Sequence, residues 1–223
     1  MPSLRGNATT ATGTTASLNV TRPTGVVSGD LMFALQQSEY SLSGGLPSGW
    51  TQIYSGGSGF AARLSYRVAG AGEPSSYSFG GGSGGARHNV ILIAIADADP
   101  DTRTLQSGNA GSTNTVTAPA ATAERDSALV VRFGLVATNP ASTWTPPSGH
   151  TERAEISQIH GCSCATQDAL AGAGSVAAAS FTVSGVIFDS VVRLGITLIV
   201  YPPPGGGRRA VVSAAAVHRA WSW

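Results

Sequence analysis

The sequence predicts an all-β protein: a single jelly-roll-like β-sandwich made from two internally duplicated halves, with an extended C-terminal arm. Three observations lead there. The 223 residues include 29 glycines, well above the roughly 7% of average usage, together with 12 prolines, a composition of many turns rather than long helices. Apolar residues alternate with polar ones or cluster in short β-branched runs, and no segment longer than a turn or two shows a helical stripe. The chain also repeats itself in order.

The first series of strands is expected at 17–22, where Leu18 and Val20 alternate with Ser17, Asn19 and Thr21, and at 30–37, an apolar run opening after Gly29. Strands at 50–54 and 61–69 follow the turn residues Pro47-Ser48-Gly49 and Gly56-Gly57. In 76–79, Tyr77 and Phe79 alternate with serines, and 89–97 is apolar on both faces, as a strand covered by a second sheet should be. The second series falls at 113–118, 127–137, 151–159, 163–169, 178–184 and 191–201, again with Gly, Pro, Ser and Asn between the runs.

The two series match. Val20-Thr21-Arg22-Pro23 corresponds to Val116-Thr117-Ala118-Pro119 at an offset of 96, and Asp30 to Asp126 at the same offset. Pro47-Ser48-Gly49-Trp50-Thr51 corresponds to Pro147-Ser148-Gly149-His150-Thr151 at 100, and Ala69-Gly70-Ala71-Gly72 to Ala171-Gly172-Ala173-Gly174 at 102. Small drifts are what loop insertions produce. The expected organisation is an N-terminal segment (1–16), a duplicated sandwich (17–201, halves about 17–104 and 113–201), and a Pro/Gly hinge with a C-terminal arm (202–223). One sandwich is preferred to two domains because the connection between the series is short and each half alone would bury a thin core. The closing strands are expected mid-sheet.

Composition narrows the function. Every one of the 13 basic residues is Arg, balanced by 12 acidic ones, and only Arg208-Arg209 are adjacent. A nucleic-acid surface needs clustered cations, and phosphate-loop or Schiff-base chemistry needs a lysine that this chain lacks. The longest apolar runs, Val90 to Ala96 and Gly195 to Tyr201, fall far short of the roughly 20 residues that span a bilayer. Residues 1–5 lack the apolar core of a secretory signal, so export by that route is not expected. Cys162 and Cys164 are too close for an ordinary disulfide and have no zinc-site partners, and are read as free thiols.

Val20-Thr-Arg-Pro-Thr-Gly-Val-Val-Ser-Gly-Asp-Leu31, followed by Pro47-Ser-Gly-Trp-Thr51 and by Tyr66-Arg-Val-Ala-Gly-Ala-Gly-Glu-Pro-Ser-Ser-Tyr-Ser-Phe79, resembles a recurrent β-sandwich module in virion proteins of tailed phages that infect high-GC actinobacteria. Pro146-Pro-Ser-Gly-His-Thr-Glu-Arg153 and Ala171-Gly-Ala-Gly174 carry the likeness into the second half, so that it covers about residues 17–201. The module often has an aromatic where this chain has His150. The resemblance implies a structural protein of the virion, assembled in the host cytoplasm, with other virion proteins and copies of itself as partners. It implies a minor tail protein first, a capsid decoration protein next, and a carbohydrate-binding adsorption module third. It carries over no catalytic residue.

Read residue by residue, the sequence points to no enzyme, cofactor or metal. Gly80 to Gly85 matches GxGxxG, and GxSxG around Ser83, but joins two strands where those motifs need a helix. Asp97, Asp99 and Asp101 have the spacing of a calcium-loop opening without its later Gly and Glu, and are read as turn caps at a strand exit. His88, His150, His160 and His218 stand apart from one another and from any ligand-like spacing. Trp50, Trp144, Tyr40, Tyr54 and Tyr77 sit beside turns where rings stack on sugars, although packing at the sandwich edge is the favoured reading. In the arm, Pro202-Pro203-Pro204 cannot continue a sheet ladder, and Gly205 to Gly207 let the chain turn. Arg208, Arg209, Arg219, Trp221 and Trp223 are the candidate partner-binding residues, the tryptophans as anchors and the arginines for acidic rims.

Overall fold

The structure is a computed structural model; it describes residues 1–57, 59–82, 85–101, 103–111, 114–137, 143–158, 160–184 and 193–204. These residues are all β, in several antiparallel sheets without a helix. The strands of the first half are β1 (Ser3–Leu4), β2 (Thr9–Gly13), β3 (Ser17–Thr21), β4 (Leu31–Ser38), β5 (Thr51–Gly56), β6 (Ala61–Val68), β7 (Ser76–Gly80) and β8 (His88–Ala96). Those of the second are β9 (Arg103–Gly108), β10 (Thr115–Ala118), β11 (Ala121–Ala123), β12 (Leu129–Val136), β13 (Thr143–Thr145), β14 (His150–Ile156), β15 (Cys162–Gln167), β16 (Gly174–Val176), β17 (Ala179–Ser184) and β18 (Arg193–Val200).

Two large sheets form the middle. One runs β1-β8-β4-β6-β5, with β2 also paired to β8, and the other runs β14-β15-β12-β18-β9. Read from the β2 and β9 edges, the order is the same: β2-β8-β4-β6-β5 and β9-β18-β12-β15-β14. Both outer hairpins carry a register shift at the matching place, Gln52/Tyr54 in β5 and Glu152/Ala154 in β14. The closing strands β8 and β18 lie inside their sheets, where the sequence places them.

Alternation decides which side chains meet. Along β8, Ile91, Ile93 and Ile95 point into a core shared with Phe133, Ile196 and Leu198 of the other half, so the large sheets bury one cluster between them. Val90, Leu92 and Ala94 point outward, where β3 and β7 cover them with Leu18, Val20, Tyr77 and Phe79. The second half is covered in the same manner, by β10-β17-β13 and β11-β16. The expected two-layer sandwich is therefore the centre of a stack with a further layer on each side. Polar contacts also join the halves: Gln37 Nε2 donates to Val136 O at 3.0 Å, and the Arg103 guanidinium lies 3.5 Å from the Tyr66 ring centre.

Besides these added layers, the short strands β11, β13 and β16 lie in stretches the sequence reading left between its strands, and two further differences concern the large sheets. Residues 1–16, expected to stand outside the sandwich, supply β1 and β2 along one edge of β8. Residues 103–108, expected at the join between the halves, pair with β18 as β9. A strand buried on both faces cannot leave a bare edge of N–H and C=O groups, so these segments are recruited. Neither Thr9–Gly13, which is Thr-Thr-Ala-Thr-Gly, nor Arg103–Gly108, whose one large apolar residue is Leu105, carries the apolar alternation that would announce a strand.

Gly195 in β18 shows how closely the outer layer approaches: a Cβ there would lie 2.1 Å from Thr117 O and 2.7 Å from the Ala118 Cα. Both obstacles are backbone and cannot rotate aside. Gly195→Ala should therefore lower stability by about 1–3 kcal/mol in urea denaturation, whereas the same change in an open strand would shift it far less.

Candidate functional site

The Pro-Ser-Gly turn occurs once in each half and has the same geometry in both. Gly49 and Gly149 take φ values of 79° and 71°, in the left-handed region that glycine enters freely. Trp50 N donates to Pro47 O at 3.2 Å and His150 N to Pro147 O at 3.1 Å. What each turn delivers differs.

In the first half it delivers an indole. Trp50 is 7% exposed and meets Tyr77 and Phe79 edge-on, with centroids 5.2 and 5.1 Å away. A latch of polar groups closes over this cluster. Arg67 pairs with Glu73 at 2.9 Å and donates to Ser48 O at 2.7 Å, while the Tyr77 hydroxyl and Gly70 N also bond the Glu73 carboxylate. Burial pushes the Glu73 carboxyl up, but these donors outweigh it and hold it below its ordinary range.

The second half has smaller groups in the corresponding places, and a groove of about 630 Å³ opens there. His150 stands where Trp50 does, Phe181 pairs with Val116 as Tyr77 pairs with Val20, Val183 follows where Phe79 does, and Ser175 follows the Ala-Gly-Ala-Gly run as Glu73 does. One wall carries Ser148, His150, Gln167 and Asp168, and the other Ser175 and the alanines 177–179. His150 Nδ1 lies 3.0 Å from Ser148 O, and its Nε2 has no partner. The Thr151 hydroxyl donates to Asp168 Oδ1.

The groove also reaches Arg132, an arginine 1% exposed in the middle of β12. Its Nη1 donates to Pro119 O at 3.0 Å and to Thr197 Oγ1 at 2.5 Å, and its Nη2 to Ala177 O at 2.6 Å. Nε has no partner, and no carboxylate among the described residues lies within ion-pair reach. Burial pushes the guanidinium down to about 10, so it remains charged at neutral pH. The first half buries Arg63 without a carboxylate too, bonded to Gln36 Oε1, Gly44 O and Gly80 O. Trp144 lies near Phe181 at 5.8 Å, so that an outer cluster of each half holds a Trp together with a Phe.

The residues singled out in the sequence do not come together. Trp50, Tyr77 and Trp144 are buried, and Tyr40 is exposed, so these rings form no common sugar-stacking face. Asp99 pairs with Arg125 at 2.7 Å and accepts from Asp101 N, which uses it as a turn cap. The Gly80–Gly85 run leaves β7 and leads to β8, with residues 83 and 84 outside the described ones. His88 is buried with neither ring nitrogen bonded, and His160 faces Glu39 at 3.9 Å. Cys162 and Cys164 sit in the central core, where burial pushes both thiols up. Arg208, Arg209, His218, Arg219, Trp221 and Trp223 lie outside the described residues. Arg132 was not among the sequence candidates, although an arginine inside Val130-Val131-Arg132-Phe133 is a legible signal.

Searches of family models, curated proteins and solved structures with this chain return no match.

Proposed function

We propose that this chain is a non-enzymatic structural protein of a tailed bacteriophage virion, a minor tail protein that makes protein–protein contacts on the particle. The reading starts from the sequence resemblance over residues 17–201. The observation that supports it best is the repeated strand order, β2-β8-β4-β6-β5 and β9-β18-β12-β15-β14, with a bulge in both outer hairpins and the same Pro-Ser-Gly turn before each. Bulges and turns of this kind persist within families, and their recurrence favours duplication of one jelly-roll-like module. A stack of short strands around closely packed cores is a stiff body suited to a fixed place in an assembly.

The test is location. Mass spectrometry of purified particles should find the chain, and gold-labelled antibody should mark the tail. Label on the head would replace the tail reading by capsid decoration, and absence from the particle would end both. A chain ending at Gly207 should keep its melting temperature and fail to enter particles, because the arm with Arg208, Arg209, Arg219, Trp221 and Trp223 is proposed as the docking segment. Normal incorporation of the shortened chain would remove that role.

A further inference from the structure

We propose that the groove of the second half binds an acidic saccharide, with a uronic acid carboxylate directed toward Arg132 and its hydroxyls on the wall formed by His150, Gln167 and Asp168. The proposal concerns a ligand site and stands independently of a place in a virion.

Four observations carry it. The volume of about 630 Å³ lies within the range of roughly 300–1,000 Å³ typical of small-ligand sites. Arg132 brings a full positive charge to the groove with no carboxylate among the described residues within ion-pair reach, and its Nε is unpartnered; Asp168, on the wall, accepts from the Thr151 hydroxyl. Its other donors are held by backbone carbonyls and Thr197, so the guanidinium is fixed in place before a ligand arrives. A carboxylate entering the groove would supply the missing countercharge in a partly dehydrated setting, where the attraction is stronger than in water.

The remaining wall selects the rest of the ligand. Asp168 accepts hydrogen bonds and disfavours a compact polyanion such as phosphate. It suits a molecule that presents one negative charge and several hydroxyl donors. His150 Nε2 and the Gln167 side chain add polar partners, while Ala177 to Ala179 offer an apolar strip for the C–H face of a sugar ring. The first half supplies the internal contrast, since Trp50 stands in the place of His150 there and packs into a buried cluster.

The experiment titrates the full-length ¹⁵N-labelled chain with methyl α-D-glucuronide and, separately, with methyl α-D-glucoside, which lacks the carboxylate. The uronide should shift the amides of Gly149, Asp168 and Ser175 with a Kd of about 1 mM, and the glucoside should bind at least about tenfold more weakly. His150→Trp, which gives the second half the side chain of the first, should weaken uronide binding at least about tenfold while the spectrum stays folded. Ala179→Tyr blocks the same space from the opposite wall and serves if His150→Trp does not fold. The proposal is overturned if about 10 mM uronide moves none of these amides, if both glycosides bind alike, or if a folded blocking variant binds as the parent does.

Discussion

Phe133→Ala should lower the free energy of unfolding by about 3–5 kcal/mol, and Phe33→Ala should do the same. Both rings are fully buried in the cluster between the large sheets, one on β12 and one on β4. A phenyl removed there leaves a cavity walled by two sheets, neither of which can close without dragging its outer layer along. The shared core further predicts one cooperative transition for both halves. Trp50 reports on the first half and Trp144 on the second, so in a chain with Trp221 and Trp223 changed to Phe, urea curves of the further Trp144→Phe and Trp50→Phe variants should have coincident midpoints once corrected for each substitution's own effect. Two separate transitions would mean that the central core does not couple the halves.

Arg132→Met should cost about 1–3 kcal/mol, and Arg132→Lys less. Two effects oppose each other. Removing the guanidinium relieves the penalty of a buried charge that has no carboxylate partner, which by itself would stabilise. It also removes the donors to Pro119 O and Ala177 O, both in part-buried bonds, and to the buried Thr197 hydroxyl, and methionine has no donor to offer them. Thr197 Oγ1 keeps its own bond to Pro119 O, at 2.6 Å, and limits the loss at that carbonyl. Loss of the donors wins because Arg132 ties three separate segments, at Pro119, Ala177 and Thr197, to one strand. Thermal or urea unfolding checks the order parent, Lys, Met. A neutral Arg132→Met would show that the carbonyls find other partners and that the arginine is dispensable to the fold.

What the sequence by itself determined were the elements whose evidence is local. All twelve strands of the two expected series are present, because side-chain alternation and turn residues act over a few neighbours and can be read in order. The ordered motif matches were legible for the same reason, as was the apolar character of β8 and β18 on both faces. Tertiary structure alone decided the rest. Thr9–Gly13 and Arg103–Gly108 become strands only because β8 and β18 have edges to satisfy, a demand set by residues tens of positions away. Trp50 and His150 follow identical turns, yet one is a core residue and the other borders a groove. The difference lies in what they meet, the rings of Tyr77 and Phe79 in the first half and the groove lined by Ala177 to Ala179 in the second. Whether Arg132 is a surface charge or a buried anchor likewise depends on carbonyls of Pro119 and Ala177 brought over it by the outer layer, and no local pattern encodes that approach.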